Sequence, residues 1–137
     1  MTMVSKKILV VDDDEAIREV MKLGLVKLGY DPAFAENGKE ALEILTKENF
    51  PVILMDIRMP GIDGIELCMR IKDRSPETVI YAFSGLVTEV DFDQLEKMGF
   101  DGLLCRPVPF KVLKKAIEGA FDKINNRGTL STPLWNN

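Results

Sequence analysis

Residues 52–64, VILMDIRMPGIDG, are the stretch whose reading decides the fold. Four apolar residues run into a single carboxylate, Asp56, and Pro60, Gly61 and Gly64 then break the run. An apolar run this short, closed by Pro and Gly, predicts a buried strand followed by a tight loop. Asp56 therefore falls at the carboxyl end of a central strand, where open α/β sheets place their ligand sites.

The same pattern recurs outward in both directions. Residues 6–11, KKILVV, predict a buried strand ending in Asp12-Asp13-Asp14. A helix follows over 15–28, with Ile17, Val20, Met21, Gly24, Leu25 and Leu28 at helical spacing and Gly29 as C-cap. Residues 30–35 form a weaker strand whose Pro32 assigns it to a sheet edge. Asn37-Gly38 opens a helix to about residue 47, with Ala41, Leu42 and Leu45 inward. Beyond the central loop, Asp63 is a good N-cap for a helix to about residue 73, its apolar side made by Ile65, Leu67, Cys68 and Ile71. Residues 78–83 give a fourth strand ending in Ser84-Gly85, and a helix is expected over 89–98. Residues 101–105 give a fifth strand, stopped by Arg106-Pro107. Pro109 starts the last helix, to about residue 124, with Phe110, Leu113, Ile117 and Phe121 on one face.

Strands alternating with helices predict a parallel sheet covered on both faces. One domain over residues 5–125 is expected, with 126–137 a tail or truncated linker in which Trp135 caps the core or hangs free. At 46% hydrophobic and 29% charged residues, the composition is that of an ordinary globular domain. A net charge of −4 argues against a nucleic-acid groove or an affinity for anionic membranes. No apolar run is long enough to span a bilayer, so a cytoplasmic location is expected. The two cysteines, Cys68 and Cys105, lack metal-ligand spacing and are expected to be reduced, semi-buried packing residues. Histidine is absent, which excludes Ser-His and Cys-His catalysis, His-ligated zinc and histidine autophosphorylation from this chain alone.

In such a sheet, the ends of strands one, three, four and five converge on one edge and gather Asp12, Asp13, Asp56, Ser84 and Arg106. Three close carboxylates repel, raise one another's pKa and are tolerated mainly around a cation. All-oxygen ligation points to Mg²⁺, or Mn²⁺. With one hydroxyl and one cation to grip anionic oxygens, the set suits phosphoryl transfer, with Asp56 as the nucleophile that becomes transiently phosphorylated.

Over residues 5–125 the chain resembles the receiver domains of two-component response regulators. The matching pieces are ILVVDDDEAIR at 8–18, the opening stretch at 52–64, FSG at 83–85 and RPVPF at 106–110. The resemblance implies a flavodoxin-like (βα)5 fold, a five-stranded parallel sheet in the order 2-1-3-4-5, the order known from a chemotaxis member of this family. It implies that Asp56 accepts a phosphoryl group from a partner's phosphohistidine, on a sensor histidine kinase or histidine phosphotransfer protein. Asp12 and Asp13 would hold Mg²⁺ with Asp56 and the backbone carbonyl of Arg58, and Ser84 would contact the phosphoryl group. Asp14 lies just outside the pattern and is expected to cap the first helix. The first helix would meet the histidine-bearing donor. The face from the fourth to the fifth helix would meet an output protein or domain, or a second copy in a homodimer.

Two positions depart from the family. Arg106 stands where lysine is usual, and Leu103 stands where the family carries Tyr or Phe as a switch lever. Arg is longer and planar, and either grips phosphoryl oxygens bidentately or points to solvent. Signal output is expected through the loop after the fourth strand. Arg58 and Leu86, two residues after Asp56 and Ser84, are poorly suited to orient water, which predicts slow self-dephosphorylation. The alternative function is a pseudo-receiver, an interaction module not switched by phosphate. A hydrolase of the haloacid-dehalogenase type would need a second Asp where Arg58 stands. The sequence leaves open a stand-alone receiver or a piece of a longer regulator or hybrid kinase.

Overall fold

In the computed structural model, which describes residues 5–85 and 92–130, strands and helices alternate through the described residues. They are β1 (Lys7–Val11), α1 (Glu15–Lys27), β2 (Asp31–Ala35), α2 (Gly38–Leu45), β3 (Val52–Met55), α3 (Gly64–Arg74), β4 (Val79–Ser84), α4 (Phe92–Lys97), β5 (Gly102–Cys105) and α5 (Phe110–Leu130). The strands pair in parallel in the order β2-β1-β3-β4-β5, the expected flavodoxin-like arrangement. β2, with Pro32, lies at an edge, where a missing ladder N–H is tolerated.

Side chains alternate across each strand, so the sheet feeds two cores. Leu9, Val11, Ile53, Met55, Ile80 and Ala82 pack with residues of α2, α3 and α4 on one face. Ile8, Val10, Val52, Leu54, Val79 and Phe83 pack with Met21 and Leu25 of α1 and Leu113, Ile117 and Phe121 of α5 on the other. The caps form as the sequence predicts. The Asp14 carboxylate accepts from the N–H of Ala16 and Ile17, Asn37 from Glu40 and Asp63 from Glu66.

Several expectations are corrected. Val20 is 65% exposed, because α1 buries only the stripe through Met21 and Leu25. Phe110 is 40% exposed; its ring lies under the Lys27 ammonium, 5.0 Å away, instead of in the core. The last helix runs past residue 124 to Leu130. The helix expected over 89–98 is observed as Phe92–Lys97; residues 89–91, like Leu86 and Trp135, lie outside the described residues.

The two cysteines differ where one environment was expected. Cys68 is fully buried, which pushes its thiol up to about 12, whereas Cys105 is exposed. A colorimetric thiol reagent is therefore expected to modify one cysteine in the native protein and a second only after unfolding. Loss of the native reaction in Cys105→Ser identifies it.

Asp101, just before β5, ties both layers to the sheet. Its Oδ2 accepts from Lys72 Nζ of α3 and from the Ile80 N–H of β4, and its Oδ1 from Lys123 Nζ of α5, each at 2.8 Å. Burial pushes its pKa up, but Lys123, Lys72 and the Ile80 N–H together outweigh that and hold it below the ordinary carboxylate value. A depressed folded pKa means stability that is present above the unfolded value of 3.8 and lost as pH falls through the folded one. Asp101→Asn is expected to cost about 2–3 kcal/mol at neutral pH in urea denaturation, since it leaves two ammonium groups without their carboxylate. That deficit is expected to shrink in acid.

Candidate functional site

Strand register brings the site together. Val11 pairs with Met55 and Ser84 with Cys105. The ladder then continues one step past the strands: the Asp56 N–H donates to Val11 O at 2.9 Å, and the Arg106 N–H to Ser84 O at 2.8 Å. The Asp12 N–H likewise donates to Ala35 O at 3.1 Å. Asp12, Asp56, Ser84 and Arg106 thus sit at the carboxyl edge, at the ends of four strands that lie side by side in the sheet. Asp13 joins them: one carboxylate oxygen from each of Asp12, Asp13 and Asp56 lies within 4.8 Å of the others.

The carboxylates are held unequally. Asp12 is fully buried and Asp56 is 6% exposed, while Asp13 is open to solvent. Asp12 Oδ1 accepts from the Asp14 N–H at 2.9 Å, and Asp56 Oδ1 from the Arg58 N–H at 3.2 Å. The two Oδ2 atoms face Arg106, whose NH1 lies 3.6 Å from Asp12 and NH2 3.4 Å from Asp56. Asp12 Oδ2 is buried and has no hydrogen-bond partner.

Arg106 thus points into the pocket and not to solvent. Its guanidinium lies 5.1 Å above the Phe83 ring. Ser84 is 3% exposed at the end of β4. Leu103 is part-buried against the core that includes Leu95 and Phe100. Arg18, which sequence reasoning missed, reaches back from α1 so that its NH1 donates to Asp12 O at 2.8 Å. Its helical spacing gave no signal, because the contact runs to backbone at a strand end.

Burial raises the Asp12 pKa to about 6, with the Asp14 N–H opposing and the Asp56 charge adding to the rise. Burial also raises Asp56, against the Arg58 N–H and Arg106. Desolvation therefore leads, where the sequence pointed to mutual repulsion. A raised carboxyl pKa means that the folded state binds the proton more tightly than the unfolded chain. Without divalent cations, stability is accordingly expected to rise as pH falls from about 7 through about 6, measured by urea denaturation in chelator. Asp12→Asn should flatten that rise.

The donor set fits a hard divalent cation such as Mg²⁺. It is all carboxylate oxygen, clustered and partly buried, and the orphaned Asp12 Oδ2 lacks the partner that a buried oxygen requires.

Comparison with known proteins gives the same direction. The chain is 34% identical over 119 residues to the autoinducer 1 sensor kinase/phosphatase LuxN of Vibrio campbellii, covering 87% of this chain and 14% of that protein. It is 30% identical over 122 residues to the transcriptional regulatory protein AfsQ1 of Streptomyces coelicolor, covering 89% of this chain and 54% of that protein. The chain spans between 14% and 54% of the length of such curated relatives. Among solved structures, it resembles the response regulator TrrA of Thermotoga maritima in complex with Mg²⁺-BeF, with a TM-score of 0.76 and 32% identity over 83% of this chain and 97% of that one. The family model of the response regulator receiver domain matches residues 8–118, a span that holds all five strands but for the first residue of β1 and every residue of the acidic edge. By fold, by site and by that match, the chain belongs to the response-regulator receiver-domain family of two-component signalling.

Proposed function

We propose that this receiver domain accepts a phosphoryl group on Asp56 from a phosphohistidine of a sensor histidine kinase or histidine phosphotransfer protein. The observation that carries this reading is the convergence of Asp12, Asp13 and Asp56, with the orphaned buried Oδ2 of Asp12, beside Ser84 and Arg106. Asp12, Asp13, Asp56 and the backbone carbonyl of Arg58 would hold Mg²⁺, with Mn²⁺ as a substitute. Bound there, the metal would neutralise charge on the transferring phosphoryl group.

The remaining work falls to the protein's own groups. An Asp56 carboxylate oxygen attacks phosphorus as the P–N bond to the donor imidazole breaks. The bonding pair returns to the ring nitrogen, and an acyl phosphate forms on Asp56. Ser84 and Arg106 meet the phosphoryl oxygens, the latter with a planar pair of donors. The β3–α3 loop holds Asp56 in place through the Gly64 N–H, which donates to Ile57 O at 2.8 Å.

Leu103 lacks the rotamer lever of an aromatic residue, so we assign the outgoing signal to the stretch between β4 and α4, of which residues 86–91 lie outside the described residues. Slow dephosphorylation follows from the bulk of Arg58, which is exposed beside Asp56. The histidine-bearing donor would dock near α1. An output protein or domain, or a second copy, would use the side of α4 and α5, with no direct contact to nucleic acid. No described helix is long and apolar enough to cross a membrane. A kinase-facing role of this kind belongs in the cytoplasm.

Intact-mass spectrometry after incubation with Mg²⁺ and acetyl phosphate tests the reading. One added phosphoryl group, mapped to the peptide containing Asp56, is expected. An unchanged mass would replace the reading by that of an interaction module that phosphate does not switch.

A further inference from the structure

Arg106 is engaged in a way that its role in gripping phosphoryl oxygens does not require. Its two terminal nitrogens divide between two acids: NH1 takes Asp12 at 3.6 Å and NH2 takes Asp56 at 3.4 Å. Both contacts fall on Oδ2, whereas the Oδ1 atoms are held by the N–H groups of Asp14 and Arg58. The guanidinium therefore occupies the open side of the same two carboxylates that the metal reading needs. It is braced there, with the Phe83 ring 5.1 Å from Cζ on one side. On another side lies Gly85, where the position a β-carbon would take is 3.7 Å from Nε.

The bracing is nonetheless loose in hydrogen bonding. Both ion pairs are longer than a charge-assisted hydrogen bond of about 2.8 Å. Asp12 Oδ2 and Arg106 Nε are each buried without a hydrogen-bond partner. A guanidinium that neutralises two acids while leaving both sides unsatisfied is a replaceable occupant. A hard dication would satisfy the acid oxygens better. A phosphoryl oxygen would satisfy Nε better.

We infer that Arg106 is a resident counter-cation of the acidic pocket, which bridges Asp12 and Asp56 in the metal-free protein and must release Asp12 when a divalent cation binds. This rests on the proposed reading of the acidic edge as a divalent-cation site. Its consequence is a metal affinity set by exchange, not by simple filling of an open site. The planar fork of Arg makes this possible, since it spans two acids at once. A lysine at the same position presents one point charge and cannot bridge both oxygens in the same way.

Direct titration of the metal-stripped full chain with Mg²⁺, and with Mn²⁺ followed by the spin resonance of the free ion, tests the inference without reference to phosphorylation. Wild type, Arg106→Lys and Arg106→Ala are compared at neutral pH, with circular dichroism confirming that each is folded. Arg106→Ala is expected to bind Mg²⁺ about tenfold more tightly, because it removes both the competing bridge and a nearby positive charge. Arg106→Lys is expected to fall between, about threefold tighter than wild type, since it keeps the charge and loses the bridge. In wild type, the Arg106 Nε–Hε resonance is expected to shift on metal addition, in step with the calorimetric binding curve. Equal affinities in all three proteins would overturn the inference. So would a lysine variant that matches wild type beside a tighter alanine variant, because charge alone would then suffice. Failure of every variant to bind metal would overturn it together with the metal site. If the affinities order as expected while acetyl phosphate leaves wild type unmodified, the exchange stands and the phosphoryl-acceptor reading falls.

Discussion

Asp56→Asn is expected to abolish phosphoryl uptake completely while the protein remains folded. The amide matches the carboxylate in shape but carries no anionic oxygen to attack phosphorus, so no slower version of the same step remains. The expected reading is an unchanged intact mass under conditions that add one phosphoryl group to wild type. Stability should be equal to wild type or higher. The folded pocket raises the pKa of Asp56, mainly by burial, and thereby favours a neutral group at that position. Asn also retains an oxygen for the Arg58 N–H, which donates to Oδ1 at 3.2 Å. Phosphoryl uptake by the Asn variant at the wild-type level would move the acceptor to another residue. Unfolding of that variant would show that Arg106 needs the Asp56 charge more than the pocket resists it.

Gly64→Ala is expected to produce the largest loss of stability of any single methyl addition at a described glycine. A β-carbon there would lie 2.3 Å from the backbone oxygen of Asp56 and 2.8 Å from Ile57 Cα. Both are backbone atoms, so relief requires the β3–α3 loop to move. That loop is closed by the Gly64 N–H on Ile57 O, and it carries the acceptor itself. The cost is expected to be about 3 kcal/mol or more in urea denaturation. Phosphoryl uptake should slow as well, because Asp56 shifts with the loop. Gly119→Ala is the control: nothing lies within 4 Å of its added carbon in α5. Removing a helix glycine should there gain about 0.5–1 kcal/mol. A Gly64→Ala loss under about 1 kcal/mol would mean that the loop yields more readily than its packing indicates.

Much of the fold was legible because it rests on local rules. Apolar runs bounded by Pro and Gly marked the strands. Asp14, Asn37 and Asp63 announced their helices, because a short acceptor side chain before an apolar repeat satisfies free N–H groups at the helix start. The acidic edge was legible for a related reason. Residues just past the ends of parallel strands share one side of the sheet, so strand order alone places Asp12, Asp56, Ser84 and Arg106 together.

What failed to be legible depends on neighbours distant in sequence. Helical periodicity grouped Val20 with Met21 and Leu25, but only the seating of α1 on the sheet determines that Val20 faces outward. Phe110 began an apolar face by spacing, yet α1 supplies Lys27 at that point and the ring covers surface. Asp101 read as the first residue of a strand. It anchors α3 and α5 through Lys72 and Lys123, partners 29 and 22 residues away.

The sequence by itself determined the alternation of strands and helices, the caps, and the set of residues gathered at one edge, since these follow from short-range periodicity and chain direction. Only the tertiary structure decided how that edge is charged. It buried Asp12 completely, left Asp13 in solvent, and turned Arg106 inward onto two carboxylates over the Phe83 ring. The physical reason is that burial and ion pairing depend on where separate strands and helices end in space, and no local pattern encodes that.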